Sequence, residues 1–251
     1  GVGKTYLVKL IARKIGIPFV KGDATKFSET GYVGGDVEDL VRDLVREAGG
    51  DIRLAEHGIV YIDEIDKIAS AASLHGPDVS RTGVQRALLK PMEETEVELR
   101  VAHDMVSQME ALEDWRRTGK REKKTVNTRN ILFILSGAFT GLDEIVKRRL
   151  SKMEIGFRAV EQAPTDAPPT WYLHQAAPED LIAYGFESEF VGRLPVTVVL
   201  DPLSEEDLFA ILRNPNCPVI QGKKADFKAY GIDVHFEDEA LRKLATLAHR
   251  Q

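Results

Sequence analysis

Apolar residues recur at Leu7, Leu10, Ile11 and Ile15 within YLVKLIARKIG, the three-and-four spacing that gives a helix one apolar face, with Gly16 placed as its C-cap. Four short blocks read differently. PFVKGDA (18–24), GIVYIDE (58–64), NILFILSG (130–137) and PVTVVLD (195–201) are rich in branched and aromatic residues and are bounded by polar or turn residues, which predicts strands. Strand-like and helix-like segments alternate to about residue 200, the rhythm of a parallel sheet with helices on both faces. From Ser204 the pattern turns helical: SEEDLFAILR has an acidic first turn behind a Ser204 N-cap, and residues 237–251 form a second amphipathic stretch. The expectation is an α/β domain over 1–200, a hinge at Asp201, Pro202 and Leu203, and the start of a small helical domain over 201–251. Two stretches interrupt the rhythm, a charged insertion over 93–129 and a Pro-rich loop, RAVEQAPTDAPPTW, over 158–171.

Composition narrows the function classes only a little. With 43% hydrophobic and 29% charged residues the chain has ordinary globular make-up, and no apolar run approaches the span of a bilayer, so no membrane partner is expected. A formal charge of −6 argues against a dedicated nucleic-acid binder, whose affinity rests on a basic face that neutralises phosphates. Cys217 is the one cysteine and suits a reducing compartment. The six histidines show no ligand spacing with acids or cysteine, so no protein-bound zinc is expected.

The chemistry is carried by two stretches. GVGKT, directly before the first predicted helix, matches the end of the phosphate-binding pattern G-x-x-x-x-G-K-[ST], with Gly1 and Val2 inside the loop and Gly3, Lys4 and Thr5 at its last fixed positions. In such a loop backbone N–H groups cradle phosphates, the lysine reaches the β- and γ-phosphates, and the hydroxyl binds Mg²⁺. GIVYIDEID supplies the other half: an apolar strand ending in Asp63, suited to the metal shell, and Glu64, suited to polarising the attacking water. ATP and Mg²⁺, the latter held through Thr5 and Asp63, are therefore the expected ligands, and Glu64 beside Asp63 favours hydrolysis over simple binding. The opening glycine of the loop and the strand before it do not precede Gly1 in this sequence, so residues 1–251 on their own are expected to be poorly stable and inactive.

GDATKFSETGYVGGDVEDLV, the DEID strand, DVSRTGVQRALLK, NILFILSGAF, IGF, PEDLIAYGFESEFVGRLP and LSEEDLFAIL occur in an order that resembles the ClpX-like AAA+ ATPases of the Clp/Hsl branch. The resemblance covers most of the chain outside 93–129 and 158–175. It implies a homo-hexameric, cytoplasmic bacterial ATPase, an organellar matrix being left open, that unfolds protein substrates, pulls them through a central pore and delivers them to a ClpP-like peptidase. The runner-up it leaves is an HslU-like or stand-alone remodelling ATPase, and further off a nucleic-acid motor. Gly31, Tyr32, Val33 and Gly34 match the aromatic pore loop, where tyrosine offers an amphipathic grip to any side chain. Arg193 matches the arginine finger that reaches a neighbour's γ-phosphate. Ser136 stands where the family places a polar sensor of nucleotide state, and the second sensor, an arginine, is expected beyond Gln251. Ile155, Gly156 and Phe157 match the loop by which ClpX-like proteins dock on ClpP, which HslU lacks. The insertion departs from the family. Its basic cluster, Arg116, Arg117, Lys120, Arg121, Lys123 and Lys124, is either a solvated face or a device that steers acidic tags, and it lacks the family's Arg-Lys-His signature.

Overall fold

A computed structural model of the chain describes residues 3–27, 36–69, 79–99, 124–154 and 167–250. They divide into two compact units that meet at residues 199 and 200.

The first unit is built on a parallel sheet in the order β1 (Phe19–Asp23), β2 (Ile59–Asp63), β5 (Leu132–Leu135). The registers are Phe19↔Ile59 through Asp23↔Asp63 on one side of β2 and Ile59↔Leu132 through Ile62↔Leu135 on the other. Sequence pattern explains why β2 is central. Ile59, Val60, Tyr61 and Ile62 form an unbroken apolar run with both faces buried, as expected of a strand covered on both sides of a parallel sheet. Helix α1 (Lys4–Ile15) and helix α2 (Val37–Glu47) both pack on β1 and β2. In α2, Val37, Leu40, Val41, Leu44 and Val45 are buried at helical spacing, and the Asp36 carboxylate accepts the Glu38 N–H as N-cap. A one-turn helix, α3 (Ile52–Ala55), leads into β2.

After β2 a 3₁₀ turn (Ile65–Ile68) leads towards α4 (Val79–Met92) and then to an antiparallel ribbon of β3 (Glu96–Glu98) and β4 (Thr125–Asn127), which pairs Val97 with Val126. The ribbon brackets the middle of the charged insertion, residues 100–123, which lies outside the described residues together with its basic cluster up to Lys123. Beyond β5 come α5 (Leu142–Glu154), α6 (Pro169–His174), α7 (Pro178–Tyr184) and α8 (Ser188–Gly192). Two buried polar side chains tie this part together. Gln85, fully buried on α4, donates to the Ile68 carbonyl at 2.9 Å and accepts the Glu187 N–H at 2.8 Å. Asp180, 2% exposed, takes a two-pronged ion pair from Arg149, 2.8 Å at each oxygen, and also accepts the Ala177 N–H.

The second unit holds α9 (Glu205–Arg213), α10 (Pro218–Ala229) and α11 (Asp238–His249), with Phe209, Leu241 and Ala245 as its buried centre and the Arg242 guanidinium 4.2 Å over the Phe209 ring. Ser204 caps α9 as its sequence predicts, with Asp207 closing a reciprocal pair of hydrogen bonds.

One expectation from the apolar pattern is not met. PVTVVLD forms no strand: residues 194–203 run without regular structure, and Val196 and Val198 are 78% and 73% exposed. Branched residues favour a strand only where a ladder neighbour exists, and none of the described strands pairs with this segment. Helix α1 forms as predicted, but Leu7, Leu10, Ile11 and Ile15 are exposed and Ala12 is its buried residue. Periodicity specifies which residues share a face, not which element covers it.

Candidate nucleotide site

The site assembles where the ends of β2 and β5 meet the start of α1. Gly3 precedes α1 with φ 76°, a left-handed conformation that glycine adopts without a side-chain clash, and its carbonyl accepts the Leu7 N–H. The turn sets Lys4 and Thr5 in the first turn of the helix, facing the strand ends. Lys4 Nζ donates to the Gly137 carbonyl at 2.6 Å, and Thr5 Oγ1 donates to Asp63 Oδ2 at 3.3 Å.

Asp63 is the hub. Its Oδ1 accepts the Ser136 hydroxyl at 2.8 Å and the Glu64 N–H at 3.1 Å, while Oδ2 faces Thr5 and the Lys21 ammonium, the latter 2.9 Å away. Burial pushes the Asp63 carboxyl up, but hydrogen bonds from Lys21, Ser136 and the Glu64 N–H, with the charge of Lys21, outweigh it and hold Asp63 below the usual carboxylate range. Behind Ser136 stands Tyr61, 1% exposed, with its hydroxyl 2.6 Å from Ser136 Oγ. Directions in this chain follow from chemistry. An ionised carboxylate only accepts, so Ser136 spends its single proton on Asp63, and Tyr61 donates to Ser136.

A second acid supports the same corner. Asp66 is buried, and its Oδ1 accepts the Ala138 N–H at 3.2 Å, which closes the loop after β5 onto the turn after β2. The fit leaves no room at residue 137: a Cβ there would lie 2.4 Å from Asp66 Oδ1. The glycine that passes its carbonyl to Lys4 is thus required by packing. Glu64 is exposed and sits at φ 58° and ψ 32°, left-handed backbone that a non-glycine residue adopts at a cost of about 1–3 kcal/mol and that recurs at functional sites.

The hydrogen bonds thus bring Lys4, Thr5, Asp63, Glu64 and Ser136 together at the strand ends. Arg193 forms an ion pair with Glu93 at 2.7 Å. Gly1, Val2, the Gly31, Tyr32, Val33 and Gly34 loop, and Ile155, Gly156 and Phe157 lie outside the described residues. Sequence reasoning missed Tyr61, Lys21, Asp66 and Gly137. Tyr61 was findable, since it lies two residues before Asp63 and so on the same face of the strand. Lys21 was not, because only the register Lys21↔Tyr61 brings it diagonally within reach of Asp63.

The donor set suits Mg²⁺. A hydroxyl and one carboxylate oxygen, both hard oxygen ligands, face each other beside the glycine turn that opens α1, and this ion binds through one or two such groups while keeping waters and phosphate oxygens for the rest of its shell.

A sequence model described as the AAA domain (Cdc48 subfamily) matches residues 1–197. Among curated proteins, the chain is 40% identical over 250 residues to the ATP-dependent Clp protease ATP-binding subunit ClpX of Treponema denticola, covering 99% of this chain and 58% of that protein. It is 39% identical over 251 residues to ATP-dependent Clp protease ATP-binding subunit ClpX 3 of Methylococcus capsulatus, covering 98% of this chain and 55% of that one. The chain thus spans little more than half the length of these relatives.

Proposed function

Because the chain belongs to the AAA family, we propose that it is the ATPase core of a ClpX-type unfoldase, which hydrolyses ATP to unfold proteins and feeds them to a ClpP-like peptidase. The observation that carries the ATPase reading is the convergence of Lys4, Thr5 and Ser136 on the β2 and β5 strand ends around Asp63. The names of the two relatives, ATP-binding subunits of an ATP-dependent Clp protease, support the pairing with a peptidase.

In this reading Lys4 brings its ammonium to the β- and γ-phosphates, and the N–H groups of the loop that opens α1 cradle them. Thr5 and Asp63 would hold Mg²⁺, which would neutralise charge that builds on the phosphates. Ser136 and the Glu64 N–H fix the other Asp63 oxygen, so the carboxylate keeps one orientation with Oδ2 turned to Thr5. Glu64 orients the attacking water and takes up its proton. Its exposure at the strand end leaves it open to solvent.

Arg193 serves a neighbouring subunit of a homo-hexamer as an arginine finger. Its ion pair with Glu93 joins side chains 50% and 35% exposed, and an exposed pair is worth about 0–1 kcal/mol, so the guanidinium is readily released to phosphate. Tyr32 between Gly31 and Gly34 grips substrate in the pore, and Ile155, Gly156 and Phe157 dock on the peptidase. The enzyme works in the bacterial cytoplasm, a setting that its relatives' sources support. The test follows a tagged fluorescent reporter with the full-length protein and ATP, with and without ClpP. Signal loss that needs Glu64, and degradation that needs both ClpP and Phe157, supports the proposal. A reporter that survives while ATP is consumed contradicts it.

A further inference from the structure

Asp63 divides its two oxygens between different tasks. Oδ1 is committed to Ser136 and the Glu64 N–H, at 2.8 and 3.1 Å, and both donors belong to the fixed strand ends. Oδ2 is the oxygen that Thr5 faces and is therefore the one open to a divalent cation, yet a cation already stands there: Lys21 Nζ, at 2.9 Å. Lys21 arrives from the neighbouring strand. It pairs with Tyr61 in the β1–β2 register, two residues before Asp63, and its long side chain runs diagonally along the sheet face to the carboxylate. The Lys21 side chain is 46% exposed, so its stem can swing the ammonium away into water.

We propose that Lys21 is a built-in counter-ion for the metal-facing oxygen of Asp63, holding that oxygen in the nucleotide-free protein and giving it up when Mg²⁺ enters with the nucleotide. The proposal rests on the reading of Thr5 and Asp63 as the metal-holding pair. An ammonium and a divalent cation cannot both sit against one carboxylate oxygen at close range without repelling each other, so the two compete. Lys21 then keeps Asp63 charged and aimed between turnovers, and it also weakens the grip on Mg²⁺. Lys21 is a positioning residue, acting through Asp63 and touching no substrate.

Competition has a signature that loss of structure lacks. The quantity to measure is the ratio of mant-ADP dissociation constants without and with Mg²⁺, obtained by fluorescence titration of the full-length protein. A damaged site weakens both constants together and leaves the ratio alone, whereas removing a competitor raises the ratio. Since the Lys21–Asp63 pair is half-exposed, Lys21→Met is expected to raise the ratio about two- to fivefold, while Lys21→Arg, which keeps a cation there, stays near the wild-type value. An unchanged or smaller ratio for Lys21→Met overturns the proposal. Asp63→Asn separates the two layers: it must pull the ratio towards one. If it leaves the ratio at the wild-type value, Asp63 does not hold the metal, and the site reading fails together with the inference built on it.

Discussion

Substituting Tyr61 by phenylalanine deletes a single oxygen behind the site, and the surrounding hydrogen bonds set the size of the effect. That hydroxyl is buried and lies 2.6 Å from Ser136 Oγ, which in turn is 2.8 Å from Asp63. Tyr61→Phe leaves the ring's burial intact and removes one neutral hydrogen bond, a loss of about 0.5–1.5 kcal/mol. Ser136→Ala is worse. It strands the Tyr61 hydroxyl in a buried position without its partner and takes a donor from Asp63, so the expected loss is about 1–3 kcal/mol. Because both changes remove the same contact, the double variant should fall short of the sum by about 1 kcal/mol. Denaturant unfolding of the four proteins, with midpoints and slopes fitted together, measures this cycle, and a matching shift of about 2–4 °C in Tm per kcal/mol provides a second readout. Additivity to within about 0.3 kcal/mol would refute the reasoning, since independent sites add to that precision. So would Tyr61→Phe costing more than Ser136→Ala, because the direction of the proton chain would then be wrong.

Four other substitutions probe packing and charge in the first unit. Arg149→Met leaves the Asp180 carboxylate, 2% exposed, without its counter-charge and should cost about 3–5 kcal/mol by denaturant unfolding. Asp180→Asn should cost less, because Arg149, with its side chain 22% exposed, keeps its bond to the Gln175 carbonyl and can reach water. Gly137→Ala drives a methyl group to 2.4 Å from Asp66 Oδ1, so stability should fall by about 1–3 kcal/mol, and mant-ADP affinity should fall with it as the carbonyl beside Lys4 shifts. The Thr25 hydroxyl, with help from the Thr25 N–H and Lys26 and against burial and the charge of Asp63, holds the Asp23 carboxyl below the usual range. Its stabilising share is therefore present above the ordinary carboxylate value of about 3.9 and is lost as pH falls through the lower folded value. Thr25→Val should bring the Asp23 titration, followed by NMR, closer to that ordinary value.

Much of the site was legible because its residues are set by local rules. GVGKT must precede a helix and DE must end an apolar strand, so the sequence alone brings Lys4, Thr5, Asp63 and Glu64 together. Ser136 came from the family resemblance, which places a polar residue at the end of the strand beside the acidic one. What could not be read depends on register and packing. Lys21 looks like an ordinary polar residue in PFVKGDA until the strand pairing aligns it with Tyr61. Gly137 looks like a turn glycine until Asp66 is seen filling the space where its side chain would stand. The same limit explains the one expectation that was not met, the PVTVVLD strand, and the exposed apolar face of α1. The apolar spacing of α1 and of PVTVVLD was read correctly as pattern, but their exposed residues show that pattern alone names no covering partner.

The most direct test of the account is ATP turnover by the full-length protein beside its Glu64→Gln variant, with mant-nucleotide binding measured on both. The account predicts that the wild-type protein hydrolyses ATP, and that Glu64→Gln binds Mg²⁺ and nucleotide with near-normal affinity but turns over at least about a hundredfold more slowly, the lower range of what a positioned base contributes. Turnover that survives Glu64→Gln, or a wild-type protein that binds nucleotide and never hydrolyses it, would contradict the assignment of this strand end as a hydrolytic site.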